Sequence, residues 1–547
     1  MGPAAAGAGR VAMDGRFPAT CALVKVPCCT RQVLCRLPAI TDDRDPNDLT
    51  TYVHTYGPRL GSTPGVPPPR DSSALDLRHS MPGPRQQHSY REREATMASP
   101  VSKASANYTG TATATAHEPD PAAPVAYQRQ LYAALRPPTY STQPTQWEAA
   151  ARAAVPLPNF LYTHGAAGSG ETHAANRAAF ARFRLRPSML VQATRRDLSV
   201  VLFGRRYASP LIAAPIGVQE TMHADAEEAT ARACCAVGVP MILSTAATRS
   251  IEQVAAASGV GPRWFQLYWP KPQAEDLTVS LLRRAKTAGF DVLVVTLDTF
   301  LIGWRPSDLD ESYLPFLYGQ GCQVGFSDPV FQRMYAAEQA KDTRTVAEKL
   351  ADLWQLLKRP GTLGGAAKVL THAAVIQKSL FFTSLVASGN YRDWNDLYTL
   401  RKYWDGPIVL KGIQTVEDAH RAIEHGIDGI VVSNHGGRQL DGAVASLDAL
   451  AEIGADDRVK TSGLTVLFDS GIRTGSDVLK ALALGAKAVL VGRPYIYGLA
   501  MGGEEGVKHV LNCMLADTDN SLANLGKRST ADIGRHDVRV LQQVSKL

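Results

Sequence analysis

Cysteine is scarce in this chain and unpatterned: there are eight in 547 residues, and four of them (Cys21, Cys28, Cys29, Cys35) fall within the first 35 positions. The others, Cys234, Cys235, Cys322 and Cys513, have no metal-ligand spacing, so neither a disulfide framework nor a metal site is expected. No run of about 18 uninterrupted apolar residues occurs, and no membrane partner is expected. Positive charge never concentrates either. The net charge is +7 without a dense Lys/Arg run, and no nucleic-acid partner is expected. What the chain does have is apolar content, 45% of its residues, enough for a large core.

Residues 1–125 are rich in Pro, Gly, Ala, Ser and Thr, as in Pro64–Arg70 and Thr109–Thr115, and read as a disordered low-complexity tail. The first forty residues hold five Arg/Lys against one acid, Asp14, a weak likeness to a transit peptide. Met97 opens a more protein-like stretch, and it leaves open whether residues 1–96 are translated. The final tripeptide, Ser545-Lys546-Leu547, matches a peroxisomal address read by an import receptor. A peroxisomal location is therefore expected ahead of a cytoplasmic one.

From about residue 145 one unit recurs: an amphipathic helix, a glycine at its C-terminal cap, then a β-branched run. It occurs at Ala229–Gly238 before Met241–Ser244, Leu281–Gly289 before Val292–Thr296, Ala419–Gly426 before Ile430–Val432, and Val478–Gly485 before Ala488–Val491. Eight strands result: Leu211–Ile216, Met241–Ser244, Trp264–Tyr268, Val292–Asp298, Ile408–Gly412, Ile430–Asn434, Val466–Ser470 and Val489–Gly492. The expected fold is an α/β (β/α)8 barrel over residues 140–530. The connection between the fourth and fifth strands is far too long for a simple loop, so residues 306–390 read as an insert covering the catalytic face, with its own helix at Thr345–Leu357.

Chemistry in such barrels sits at the C-terminal strand ends. Here nearly every end carries a polar or glycine residue after an apolar run, which points to a large polar ligand. The most informative stretch is Ser433–Asp441. His435 and Arg438 are three residues apart just past a strand, one able to take a proton and the other to clamp a carboxylate. Between them Gly436 and Gly437 allow backbone to approach a flat ligand. Loops after the last two strands, Asp469–Gly475 and Gly492-Arg493, form the usual phosphate site of the fold. Ser244, Gln266 and Thr296 could satisfy the edge of a ring system, and Lys411 could oppose a developing anion. A phosphorylated heterocycle is implied, and flavin mononucleotide (FMN) fits.

The run Ser-Asn-His-Gly-Gly-Arg-Gln at 433–439 resembles the active-site motif of the FMN-dependent α-hydroxy acid oxidising family, and the likeness extends from about Gln146 to Leu515. It is closest to the lactate 2-monooxygenase branch, through Thr296–Pro306, Leu314–Leu317, Asp328–Phe331 and Val466–Arg473. The resemblance implies that His435 is the base, oriented by Asp298, that Arg438 and Arg305 hold the substrate carboxylate, and that Tyr162 and Tyr268 bond the carboxylate and hydroxyl. It assigns Pro215, Ile216, Gly217, Ser244, Gln266, Thr296, Lys411 and Ser433 to the flavin ring and ribityl chain. Asp469, Ser470, Gly471, Ile472, Arg473, Gly492 and Arg493 go to its tail and phosphate.

The implied activity is oxidation of a small L-2-hydroxy acid by O2. The outcome is either lactate 2-monooxygenase-like oxidative decarboxylation or simple release of keto acid and H2O2. The insert and its Gly303–Pro306 entry resemble the first type. Leu440-Asp441-Gly442 after Gln439 is the pattern of ordinary oxidases, and Gly217 is expected to open space beside the flavin. A homo-oligomer, tetramer or octamer, is implied. A cytochrome-coupled dehydrogenase is disfavoured, because the tail has no globular pattern to house a haem.

Each of these residues also has a blander reading. His435 alone would be an ordinary core histidine, Tyr268 a barrel-layer cap, Asp298 and Arg305 a structural ion pair, and Arg493 the partner of some carboxylate. His164, His173 and His223 are taken as ordinary. A non-catalytic flavin-binding protein is the remote alternative; it would be expected to have lost His435, Arg438 or Asp298.

Overall fold

In the computed structural model, which describes residues 123–541 apart from 346, 349, 350, 352, 353 and 355–362, eight parallel strands close into a barrel. They are β1 (Leu211–Ala213), β2 (Met241–Ser244), β3 (Arg263–Tyr268), β4 (Leu293–Thr296), β5 (Ile408–Ile413), β6 (Gly429–Val432), β7 (Thr465–Phe468) and β8 (Ala488–Val491). Each pairs with the next, and β8 returns to β1 with Leu490 opposite Ile212.

All eight expected strands are present, but several are shorter at their C-terminal ends. Expectation carried them through Ile216, Asp298, Asn434, Ser470 and Gly492; the ladder stops at Ala213, Thr296, Val432, Phe468 and Val491. Of the residues in those spans Ser470 takes left-handed backbone (φ 81°), which cannot continue a strand, and Val218 and His435 (φ 51 and 57°) turn the chain just past two others. The polar residues thus lie on turns just beyond the ladder.

Alternation along the strands divides the apolar side chains between two cores. Ile212, Ile242, Val294, Val409, Val431, Leu467 and Leu490 fill the barrel interior. Their neighbours, such as Leu211, Leu243, Val295, Leu410 and Ile430, face the helical shell. At the N-terminal end of the barrel the hairpin Val200–Leu202/Arg205–Tyr207 closes the interior. Trp264, fully buried, donates its indole N–H to Tyr207 Oη at 3.2 Å, which satisfies the one polar atom of each ring. The glycines expected to end helices do so: Gly238, Gly289, Gly426 and Gly485 all have positive φ.

Between β4 and β5 the chain leaves the barrel to build the insert, yet these strands still pair directly, Leu293 with Ile408. The insert holds helices Pro306–Asp310, Gln323–Phe326, Pro329–Ala340 and Leu363–Val386. Asp328 caps Pro329–Ala340, accepting from the N–H of Val330 and Phe331, and is itself gripped by Arg284 of the barrel helix Glu275–Thr287 at 3.1 Å. At the far end Lys271 N donates to Leu385 O (2.8 Å) and Gly389 N to Phe300 O (2.9 Å). The expected helix Thr345–Leu357 falls largely outside the described residues, as do the tail 1–122 and Ser545-Lys546-Leu547. Among the described residues no helix is long and apolar enough to cross a membrane, and no metal-binding cluster occurs.

Candidate active site

The C-terminal mouth of the barrel opens into a cavity of about 1460 Å3, open mouth included. His435, Arg438, Arg305, Tyr162, Tyr268 and Lys411 all line it. Their placement begins with the turn after β6. His435, Gly436 and Gly437 are three consecutive left-handed residues, with φ of 57, 67 and 74°. For a histidine this conformation is strained, and it persists only because its surroundings fix it. His435 N donates to Ser433 Oγ (3.1 Å) and Gly436 N to Ser470 Oγ (3.0 Å). Below the turn, Asn434 accepts from Gly437 N (3.1 Å) and is clasped by Asn176 of helix Glu171–Arg182.

Both glycines were expected to let a flat ligand come close; only Gly436 lines the cavity. A Cβ on Gly437 would stand 2.6 Å from His173 N, so that glycine serves an approach between two segments of the chain itself.

Asp298 is the hub of the charge network. It accepts from His435 Nδ1 at 2.7 Å and Thr299 Oγ1 at 2.7 Å, with Lys411 Nζ at 3.4 Å. A bulge between β5 and β6 at Gly412 makes this possible: a Cβ there would lie 3.0 Å from Asp298 Cβ. Burial alone pushes the Asp298 carboxyl up, but Lys411 and His435 outweigh it and hold it well below the usual carboxylate range. Burial pushes the His435 imidazole down, and Lys411 reinforces this against the pull of Asp298. The ring is therefore uncharged at neutral pH, and with Nδ1–H given to Asp298 the lone pair lies on Nε2. Lys411 is pulled down by burial, yet Asp298 and Asp469 (3.7 Å) more than reverse this and keep it charged.

Two guanidiniums stand beside this base. Arg438 Nη1 donates to the carbonyls of Thr163 (3.1 Å) and Gly165 (2.8 Å), and its charge sits 5.7 Å from the Tyr162 ring centroid. Burial, with Arg305 and Arg493 nearby, pushes it down to about 9. Arg305 does not pair with Asp298; it donates to Arg438 O (3.0 Å) and Gln439 Oε1 (2.6 Å), with Asp308 at 3.9 Å. Burial raises both tyrosine hydroxyls, that of Tyr268 to about 12, so both remain protonated donors. A neutral base next to two cations and two phenols can bind a carboxylate and take a proton from its neighbouring carbon or hydroxyl.

At the other end the residues fit a phosphorylated cofactor. Among the described residues Arg473 donates only to Ile472 O, and Arg493 only to the carbonyls of Thr163, His164, Gly165 and Gly436. Neither forms a salt bridge among the described residues, although both are half-buried cations. Burial and Arg493 push Arg473 down to about 10, and burial lowers Arg493 as well. Their combined field, after burial, also depresses His173 to about 4. Two half-buried like charges with no carboxylate at salt-bridge distance among the described residues favour a phosphate, and the left-handed pair Ser470-Gly471 (φ 81 and 98°) turns the adjoining loop around it. Pro215, Ile216, Gly217, Asp469, Ser470, Gly471, Ile472, Gly492 and Lys411 line the same space.

Four of the expected residues are deeply buried. Ser244, Gln266, Thr296 and Ser433 do not line the cavity; Ser244 Oγ donates to Gln266 Oε1 (3.0 Å), and Gln266 Nε2 to Thr296 Oγ1 (2.9 Å). Gly217 is also placed otherwise than expected. A Cβ there would meet Ala246 O at 2.3 Å, so the missing side chain accommodates the β2 loop and does not open space for a ligand. Sequence reading passed over Thr299, though its position directly after Asp298 was a usable sign. It also passed over Ala246, which lines the cavity, and Glu227. That fully buried carboxylate accepts from the N–H of Gln219 and Thr248 and from Thr248 Oγ1, pinning the β1 and β2 loops together. Nothing in the local sequence singles Glu227 out.

The family model for FMN-dependent dehydrogenases matches residues 151–540. The chain is similar to an FMN-dependent alpha-hydroxy acid dehydrogenase of Penicillium citrinum, 47% identical over 74% of this chain and 92% of that protein. It is also similar to an L-lactate oxidase of Lysinibacillus sphaericus, 35% identical over 69% and 86% respectively. Among solved structures, that of mandelate oxidase is 33% identical, covers 73% of this chain and 98% of its own, and has a TM-score of 0.59.

Proposed function

The chain belongs to the FMN-dependent dehydrogenase family, and from that premise we propose that it oxidises an L-2-hydroxy acid to the keto acid with O2 as acceptor. The observation that carries this reading is the His435–Asp298 pair at 2.7 Å facing the same cavity as Arg305 and Arg438. What FMN supplies when bound is a two-electron acceptor that O2 can reoxidise. Arg438 and Arg305 hold the substrate carboxylate, while Tyr162 and Tyr268 donate to its oxygens. His435 Nε2 takes the proton released in the oxidation. Asp298 keeps the ring in the right tautomer and compensates the imidazolium, the usual division between base and orienting carboxylate. Lys411 sets a fixed positive charge beside the cofactor, where it opposes incoming negative charge in a dry site. Arg473 and Arg493 hold the cofactor phosphate.

The test is anaerobic: the purified yellow protein is mixed with L-2-hydroxy acids, and flavin absorbance is followed. Bleaching with a proton-linked rate lost in His435→Gln supports the reading; unchanged absorbance overturns it in favour of a binding protein.

The insert favours a second outcome within the same chemistry. Leu314, Phe316, Phe382 and Val386 line the cavity beside the barrel residues, an enclosure suited to retaining the keto acid until H2O2 decarboxylates it. With lactate the products under air would be acetate, CO2 and water in place of pyruvate and H2O2, and the product ratio decides. A homo-oligomer and a peroxisomal setting, which suits a peroxide-forming reaction, belong to the same proposal. Light scattering and a fluorescent fusion test them.

A further inference from the structure

Resting on that oxidase reading, we propose that the preferred substrate carries a bulky apolar group, branched or aryl, on its α-carbon, and that the insert supplies the subsite for it. The clamp and base account for the carboxylate and hydroxyl of a 2-hydroxy acid. Its remaining substituent is left to the rest of the cavity, and beyond Arg305 the insert contributes apolar surface: Leu314, Phe316, Phe382, Val386 and Ala387. Thr383 also lines it, but its hydroxyl already donates to Ser379 O at 2.7 Å. No charged side chain of the insert beyond Arg305 lines this wall among the described residues.

The wall starts where the clamp ends and is held in place. The Phe316 ring meets Tyr162 edge-on at 6.5 Å between centroids, and Tyr162 is the ring beneath Arg438. Phe382 is wedged edge-on against Phe331 (5.4 Å) and Phe326 (6.5 Å). Gly321 allows the insert to press on the barrel loops: a Cβ there would be 2.7 Å from both Phe316 Cε1 and Val218 Cγ1, and 2.8 Å from Ala246 O. Such a preformed apolar surface gives water few partners, so a substrate methylene gains by displacing it. Lactate offers the wall a single methyl group. A branched or aryl acid covers it.

Two measurements on the holoenzyme test this. In the first, kcat/KM is read along glycolate, L-lactate, L-2-hydroxy-4-methylpentanoate and L-3-phenyllactate. Burial predicts a gain of roughly fourfold per methylene, hence about sixtyfold from lactate to the branched acid, which has three more carbons. In the second, equilibrium binding of acetate, 4-methylpentanoate and 3-phenylpropanoate is followed by perturbation of flavin absorbance, which needs no turnover; affinity rises in the same order. Ala387→Trp, which fills the wall, shrinks the advantage of the longer acids in both series. A flat or falling ladder while lactate still bleaches the flavin overturns the subsite and leaves the oxidase reading standing. If none of these acids bleaches the flavin, the oxidase reading falls and the subsite with it.

Discussion

Asn176 and Asn434 exchange side-chain amide hydrogen bonds, 2.8 Å in each direction, across 258 residues of sequence. The pair is buried and ties helix Glu171–Arg182 to the turn that presents His435. Asn176→Ala leaves the Asn434 amide short of partners in a dry site. A loss of about 1–3 kcal/mol in urea unfolding is expected, together with a fall in kcat. A variant that unfolds like the parent and turns over normally would contradict the clasp.

His435→Gln removes the base and leaves the arginines. Turnover should drop by roughly 10^2–10^4 while FMN content and carboxylate binding persist. Stopped-flow reduction of the bound flavin measures this directly. Asp298→Asn should cost a comparable factor, because Nδ1 would then face an amide able to present its N–H, which favours the wrong tautomer.

The pH profile follows from burial and Lys411 lowering the His435 pKa below its ordinary value of 6.5. A base must be unprotonated, so kcat/KM rises with pH through that lowered value and is already on its plateau at neutrality. Lys411→Met removes a charge that depresses the imidazole, and the acid limb moves to higher pH. Asp298 works in the opposite sense on stability. Its folded-state pKa lies below the unfolded one, so its contribution is present above about pH 4 and disappears as the pH falls further.

Arg473 and Arg493 are assigned to a phosphate, which riboflavin lacks. The protein should bind FMN far better than riboflavin, and Arg493→Met should narrow that gap by roughly 10–100-fold, the worth of a charge-assisted bond. Fluorescence titration of the flavin-free protein with both compounds gives the ratio.

Gly217→Ala sets a Cβ 2.3 Å from Ala246 O, where only movement of the β1 loop relieves it. Flavin retained through purification should fall, even though the substitution adds one methyl group. Gly204, with open space around its Cα, is the control: its Ala variant strains the backbone (φ 78°) but touches nothing, so flavin content stays at the parent level.

The strands were legible because a parallel barrel writes each as a short apolar run after a glycine-capped helix. His435, Arg438, Arg473 and Arg493 could be singled out because they stand just past the ends of those runs, and all four line one cavity. Strand limits were less so, since a left-handed turn at Val218, His435 or Ser470 leaves no mark on hydropathy. Gly217 and Gly437 were misjudged for a related reason: a glycine says that something approaches, and only the fold says what. Asn176 and Glu227 act through partners distant in the chain, which a linear reading cannot match.

Because Leu293 and Ile408 pair as though nothing stood between them, the long excursion joining their strands is a cassette on a finished frame. It is nonetheless packed into the core of the helical shell through Cys322, Val324, Phe331, Phe382 and Leu385, and held by the Arg284–Asp328 grip and the bonds from Lys271 to Leu385 and from Gly389 to Phe300. The hydrogen-bond ladder of the barrel is thus indifferent to what the excursion contains, while the packing beneath it is not.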